Sequence, residues 1–170
     1  MDKQLQNKYQ KSINLLNDAI GKEIATSLQY MYFHVHFEDA GYKYLSRLMR
    51  QISIAEMRHI EEFAERIIYL QGDVNMNASF QTRQILEVTA ALELCVQLEQ
   101  STIEGYNISS HACAVHADAV SHKMFQDVIA EEEKHHDLFR TELQNMVAYG
   151  DEYLAMQSIA GSKEHSEFKM

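Results

Sequence analysis

The stretch Ile54-Ala55-Glu56-Met57-Arg58-His59 decides how this chain is read. It sets a Glu-x-x-His pair inside a run of helical periodicity, where Leu45, Leu48, Ile52, Glu56, His59, Phe63, Ile67 and Leu70 share one stripe. Residues three apart on a helix lie on one face, about one turn apart, so Glu56 and His59 point the same way. A second copy, Glu132-x-x-His135, lies in Ala130-Glu131-Glu132-Glu133-Lys134-His135-His136. The neighbouring register Glu133-x-x-His136 also satisfies the motif. The flanking stripe of Phe125, Val128, Phe139 and Leu143 favours Glu132 and His135.

Working outward, the fold class expected is all-α. The 170 residues suit a single domain spanning 1–170, with 46% hydrophobic residues to build a core, six glycines and no proline. Helical periodicity predicts four helices at about 6–38, 43–71, 84–110 and 121–149, followed by a short C-terminal tail over 150–170. Residues 74–83 lack that periodicity. About twelve extended residues reach on the order of 40 Å. A helix of about 26 residues is roughly as long. The connection between helices two and three can therefore run the full length of a four-helix bundle, which is a long crossover.

Two further glutamates sit on inward stripes, Glu23 and Glu93, the latter embedded in Ala90-Ala91-Leu92-Glu93-Leu94. The chain then repeats weakly. Glu23 precedes Glu56 as Glu93 precedes Glu132, but the second interval is the longer, and its excess is placed in the His/Cys-rich stretch His111–His122. Carboxylate oxygen and imidazole nitrogen suit iron(II). Four carboxylates balance the charge of two such ions. Glu23, Glu56, His59, Glu93, Glu132 and His135 are accordingly the expected ligands of a two-iron site, with Glu56 and Glu132 bridging. Such a pair passes two electrons to dioxygen or peroxide, which is ferroxidase chemistry. Surface ion pairs on helices explain any single Glu-x-x-His, but less readily two copies on apolar stripes. Tyr30, two turns after Glu23, either bonds a ligand or gives up an electron, or is a plain core tyrosine.

The net charge of −10 argues against a nucleic-acid-binding protein and suits a surface that concentrates cations. The only basic residues of the N-terminal arm are Lys3, Lys8 and Lys11. No apolar run reaches the roughly 18 residues of a membrane helix, and the N-terminus has no apolar signal region, so a cytoplasmic protein is expected.

Gly21-Lys22-Glu23, Glu56-Met57-Arg58-His59, Ala91-Leu92-Glu93-Leu94 and Glu132-Glu133-Lys134-His135 resemble the ferritin superfamily, and bacterioferritin within it. The resemblance implies a ferritin-like four-helix bundle that assembles into a hollow homo-oligomeric cage. It implies iron storage and detoxification, with iron(II) oxidised by hydrogen peroxide or dioxygen and kept as ferric mineral, protecting against oxidative stress. Two cysteines beside a bacterioferritin-type site resemble the thioferritins, Dps-like proteins that form twelve-subunit cages and prefer peroxide; this subgroup is the expectation. A haem-bearing, 24-subunit bacterioferritin is the alternative, and a small di-iron peroxidase that stores nothing is a third. Met57 matches the bacterioferritin haem ligand, or simply fills an apolar gap. Thioferritin resemblance implies a redox pair of Cys95 and Cys113, as against two buried free thiols. His111-x-Cys113-x-x-His116 offers a further metal set, while His34, His36, His122 and His165 read as ordinary histidines or entry-path groups.

Overall fold

The computed structural model describes residues 3–167 and the side chains of residues 8–160. Among these it is helix and loop throughout: α1 (Lys3–Asp39), α2 (Lys43–Tyr69), α3 (Val88–Val115), α4 (Ala119–Tyr149) and α5 (Asp151–Glu167). The expected side-chain roles of Lys3 and His165 lie outside the described residues, as does the end of the expected tail, 168–170.

Three helix ends share one device. After α1, Tyr42 N–H bonds Phe37 C=O at 2.9 Å and Gly41 N–H bonds Glu38 C=O at 3.1 Å, closing a Schellman turn with Gly41 left-handed at φ 83°. The same pair of bonds ends α2 around Gln71 and α3 around Ala117, both left-handed without being glycine. The α3 boundaries differ from expectation. Glu87 caps α3 through its carboxylate, which accepts from Thr89 N–H at 2.9 Å and Ala90 N–H at 2.6 Å, so the helix starts at Val88. No breaker opens the His/Cys stretch, and α3 runs on into it as far as Val115. The tail is helical from Asp151, and Tyr153 is buried with its hydroxyl donating to Glu142.

The crossover, residues 70–87, runs beside α1. Asn17 accepts from Asn75 N–H at 2.7 Å and donates to Asp73 C=O at 3.0 Å. Gln29 does the same for Arg83, accepting at 2.7 Å and donating at 3.1 Å. Between these two amide clamps Ser79 N–H bonds Gly21 C=O at 2.8 Å. A Cβ at Gly21 would lie 3.1 Å from Asn77 O, so this glycine permits the approach.

These constraints make α1–α2 and α3–α4 two antiparallel hairpins related by a pseudo-twofold, and one constant shift in numbering carries the first onto the second. Left-handed Gly41 and Ala117 correspond. So do two linking bonds with their ends exchanged: His34 Nδ1 to Ser46 Oγ at 2.9 Å, and Ser110 Oγ to His122 Nδ1 at 2.8 Å. The insertion expected in the second hairpin is therefore absent. Two apolar clusters fill the bundle, one around Phe33, Phe37, Leu45, Leu92 and Phe139, the other around Leu16, Ile20, Phe63, Ile67 and Phe125. Buried polar side chains come together between them.

Candidate metal centre

Each of the four long helices brings its polar side chains to one buried place: Glu23 from α1, Glu56 and His59 from α2, Glu99 from α3, Glu132 and His135 from α4. All six are buried, at 9% exposure or less. Helical spacing makes this possible: each Glu-x-x-His occupies one face, and the large side chains Phe63, Phe125 and Phe139 seal the core around it.

Both histidines turn Nδ1 inward, between the same two carboxylates. His59 Nδ1 lies 3.0 Å from Glu56 and 3.1 Å from Glu132. His135 Nδ1 lies 2.9 Å from Glu132 and 3.2 Å from Glu56. Glu23 approaches His59 to 4.0 Å. Two four-residue donor sets result, Glu23–Glu56–His59–Glu132 and Glu56–Glu99–Glu132–His135, with the ligand atoms of each within 4.8 Å of one another. Glu56 and Glu132 belong to both sets, as bridging groups must.

Two tyrosines outside this set close it crosswise. Tyr30, from α1, donates to Glu99 Oε1 of α3 at 2.6 Å. Tyr106, from α3, donates to Glu23 of α1. Tyr30 thus bonds a candidate ligand, one of the roles expected for it.

The electrostatics follow from crowding four carboxyl groups in a dry core. Burial, then the charges of Glu56 and Glu132, push the Glu23 and Glu99 carboxyls well above the usual carboxylate range. Burial opposes charge on the histidines too, but hydrogen bonds to Glu132 and Glu56 outweigh it, and His59 is pushed up to about 12 and His135 to about 9. Burial also opposes ionisation of Glu132, yet the bonds from His135 and His59 pull it down to about 2. Without metal, protons therefore neutralise the cluster. Even so, Glu56 Oε1 and Glu132 Oε1 are buried without a well-directed hydrogen bond: each lies 3.1–3.2 Å from the Nδ1 of the other helix's histidine, which bonds the glutamate of its own helix. Buried carboxylate oxygens in that state are open to a cation.

Glu93 is the misplaced expectation. It is exposed on α3, and Glu99 stands in the cluster instead. The step from one to the other leaves the helix about 120° short of two whole turns, so the two glutamates face different sides. The signal for Glu99 was spacing: it precedes Glu132 by the same interval as Glu23 precedes Glu56, and a tyrosine follows each of the two, Tyr106 and Tyr30, at matching distance. Glu133 is exposed and His136 half-buried, and neither belongs to the two donor sets.

The expected cysteine pair is also corrected. Cys95 and Cys113 are free, buried and both on α3, in different apolar clusters. The length of helix between them separates them by about 27 Å. A disulfide needs Cα atoms within about 7 Å. Nor does His111-x-Cys113-x-x-His116 form a metal set, because both histidines are exposed while Cys113 faces the core.

Met57 lies one position past Glu56 and points outward, 55% exposed. It lines an open groove of about 520 Å³ with Ile60, Ala64, Ile68 and Met76, and Glu61 and Glu65 complete the lining.

The ferritin-like domain family matches residues 13–148. Bacterioferritin of Desulfovibrio desulfuricans is 34% identical over 152 residues, 89% of this chain and 84% of that protein. Bacterioferritin of Brucella melitensis is 30% identical over 154 residues, 91% of this chain and 96% of that one. The structure is similar to that of the Desulfovibrio desulfuricans bacterioferritin described with its di-iron site in different catalytic states, at TM-score 0.89 and 31% identity over 91% of this chain and 90% of that chain. It is also similar to the Rhodobacter capsulatus bacterioferritin described with a metal-free dinuclear site and haem iron in a crystallographic special position, at TM-score 0.83 and 28% identity over 87% and 92%.

Proposed function

The chain belongs to the ferritin-like family, and from that premise we propose that it is an iron-storage protein: a ferroxidase whose buried cluster oxidises iron(II), assembled as a cage that keeps the ferric product. The observation that carries this reading is the pair of donor sets sharing Glu56 and Glu132, with one oxygen of each shared carboxylate left without a hydrogen bond. Helical surface pairs would leave no such oxygens in the core.

The ligands proposed are Glu23, Glu56 and His59 with Glu132 at one position, and Glu99, His135 and the same two bridging carboxylates at the other. Two iron(II) ions taken up there supply two electrons, enough to reduce one hydrogen peroxide to two waters or one dioxygen to peroxide. The protein's part is to bind and to move protons. His59 and His135 release theirs as Nδ1 takes up its ligand role, and Glu23 and Glu99 release theirs as the incoming charge replaces them. Tyr30 and Tyr106 keep donating to Glu99 and Glu23, which fixes the carboxylates that do not bridge. Packing around the cluster keeps bulk water out.

The twelve-subunit expectation drew on a cysteine pair that α3 keeps apart, so the 24-subunit alternative is the better supported cage. No helix among the described residues is long and apolar enough to cross a membrane, in keeping with the cytoplasmic location proposed. The groove at Met57 supports a second ligand: a haem, whose iron this methionine would hold. Its thioether faces outward among Ile60, Ala64, Ile68 and Met76, a mainly apolar setting that such a group would fit beside Glu61 and Glu65.

The test is iron retained per chain after excess iron(II) and limiting oxidant, followed by gel filtration. Tens of ions per chain eluting with a large assembly support the storage reading, and elution volume separates 24 subunits from twelve. Parallel runs with peroxide and dioxygen identify the oxidant. Retention unchanged in an E56A/E132A double variant would refute the site.

A further inference from the structure

The pseudo-twofold is broken at one position that touches the cluster. The shift in numbering that carries Gly41 onto Ala117 also maps Glu23 onto Glu99, Glu56 onto Glu132, His59 onto His135 and Tyr30 onto Tyr106. It maps Ala55 onto Glu131. Glu131, on α4, places Oε2 at 3.2 Å from His59 Nε2, while Nδ1 of the same ring faces Glu56 and Glu132. The equivalent position beside His135 holds an alanine, and His135 has hydrogen bonds from Nδ1 alone among the described residues. The side chain of His59 is 3% exposed and that of His135 is 11% exposed.

A carboxylate that accepts from the outer ring nitrogen fixes the tautomer, points the inner lone pair at the metal and makes it a stronger donor. His59 has this support and His135 does not. We propose that Glu131 is a positioning residue that makes the two metal positions unequal. The ion among Glu23, Glu56, His59 and Glu132 binds first and is held. The ion among Glu56, Glu99, Glu132 and His135 is the one that exchanges, because its histidine is free to turn. This rests on the two-metal reading above. It gives a ferroxidase a resident ion and a leaving one within a single symmetric-looking site.

The test is anaerobic titration of the metal-stripped, full-length protein with Co(II), followed by the visible absorption of the bound ion. The wild type should fill in two steps, the first tighter by roughly 10- to 100-fold, the usual cost of losing an outer partner. E23A should remove the first step and E99A the second. E131A should weaken the first step by about that factor and leave the second, while E131D, which keeps the carboxylate, restores part of it. A55E should tighten the second step. Glu131 is exposed, so its truncation leaves the core intact, which circular dichroism checks. Two steps indifferent to E131A, or E131A weakening the step that E99A removes, would overturn the inference alone. No uptake of two Co(II) ions by the wild type would overturn the two-metal reading and this inference with it.

Discussion

Exchanging Glu99 for glutamine tests where the fourth carboxylate stands. The replacement is isosteric and can still accept from Tyr30, so it removes little but a negative charge. Glu99 belongs to a donor set whose ligand atoms lie within 4.8 Å of one another. At that separation, with an effective dielectric constant of about 20, two unit charges are worth about 3.5 kcal/mol. That is a factor of several hundred in Kd, and a divalent ion raises it. E99Q should therefore hold one Co(II) per chain at concentrations where the wild type holds two, read by equilibrium dialysis with elemental analysis. E93Q changes an exposed side chain and should hold two, within about 0.5 kcal/mol of the wild type. The reverse pattern, one ion for E93Q and two for E99Q, would refute both the assignment and the pseudo-twofold behind it.

Zn(II) loading near pH 7 should release at least about two protons per chain, those of His59 and His135, with Glu23 and Glu99 adding to them, as read in weak buffer by pH-stat. Affinity for the pair should then rise by at least about 100-fold per pH unit; a flat profile would contradict the protonated cluster. The metal-free fold should show the opposite slope. Histidines raised in the folded state stabilise it fully below their unfolded value near 6.5, and that stability is lost as pH rises through about 9 for His135 and about 12 for His59. Chemical denaturation between pH 7 and 9 checks the sign. Ala117→Gly should stabilise the fold by up to about 1 kcal/mol, since Ala117 is left-handed at φ 57°, and thermal melts would show it. Arg66→Ala should cost about 3–5 kcal/mol, because it strands Asp118, its buried partner at 2.6 Å. Protein purified with haem should show a Soret band that Met57→Ala abolishes, with ferroxidase activity retained.

What the sequence disclosed and what it hid have one cause. Long stripes with no proline announced helices, and a polar pair on an apolar stripe announced a site, because both signals are local and periodic. Glu23, Glu56, His59, Glu132 and His135 were legible on those grounds. Glu99 was not, because its surroundings on α3 look ordinary: Val96, Gln97 and Gln100 flank it, while Glu93 sits among apolar residues that in fact face the core past it. The decision between the two belongs to the relation between hairpins. An equal interval from each first glutamate to its Glu-x-x-His, and a tyrosine at matching distance after it, would have settled the choice, had the repeat been required to hold without a gap. The interval from Glu93 to Glu132 exceeds that from Glu23 to Glu56 only because Glu93 is not the counterpart of Glu23, so no insertion lies in the His/Cys stretch. The end of α3 was hidden for a different reason. Ala117 takes the place usually given to glycine, so no residue type marks that turn. Glu131 was hidden by its own neighbours, one carboxylate in a run of three, distinguishable only once Ala55 is seen where symmetry would put its twin. A repeat of this kind makes its departures informative. The matched residues build one site from two halves, and the unmatched residue is where the halves can be given different tasks.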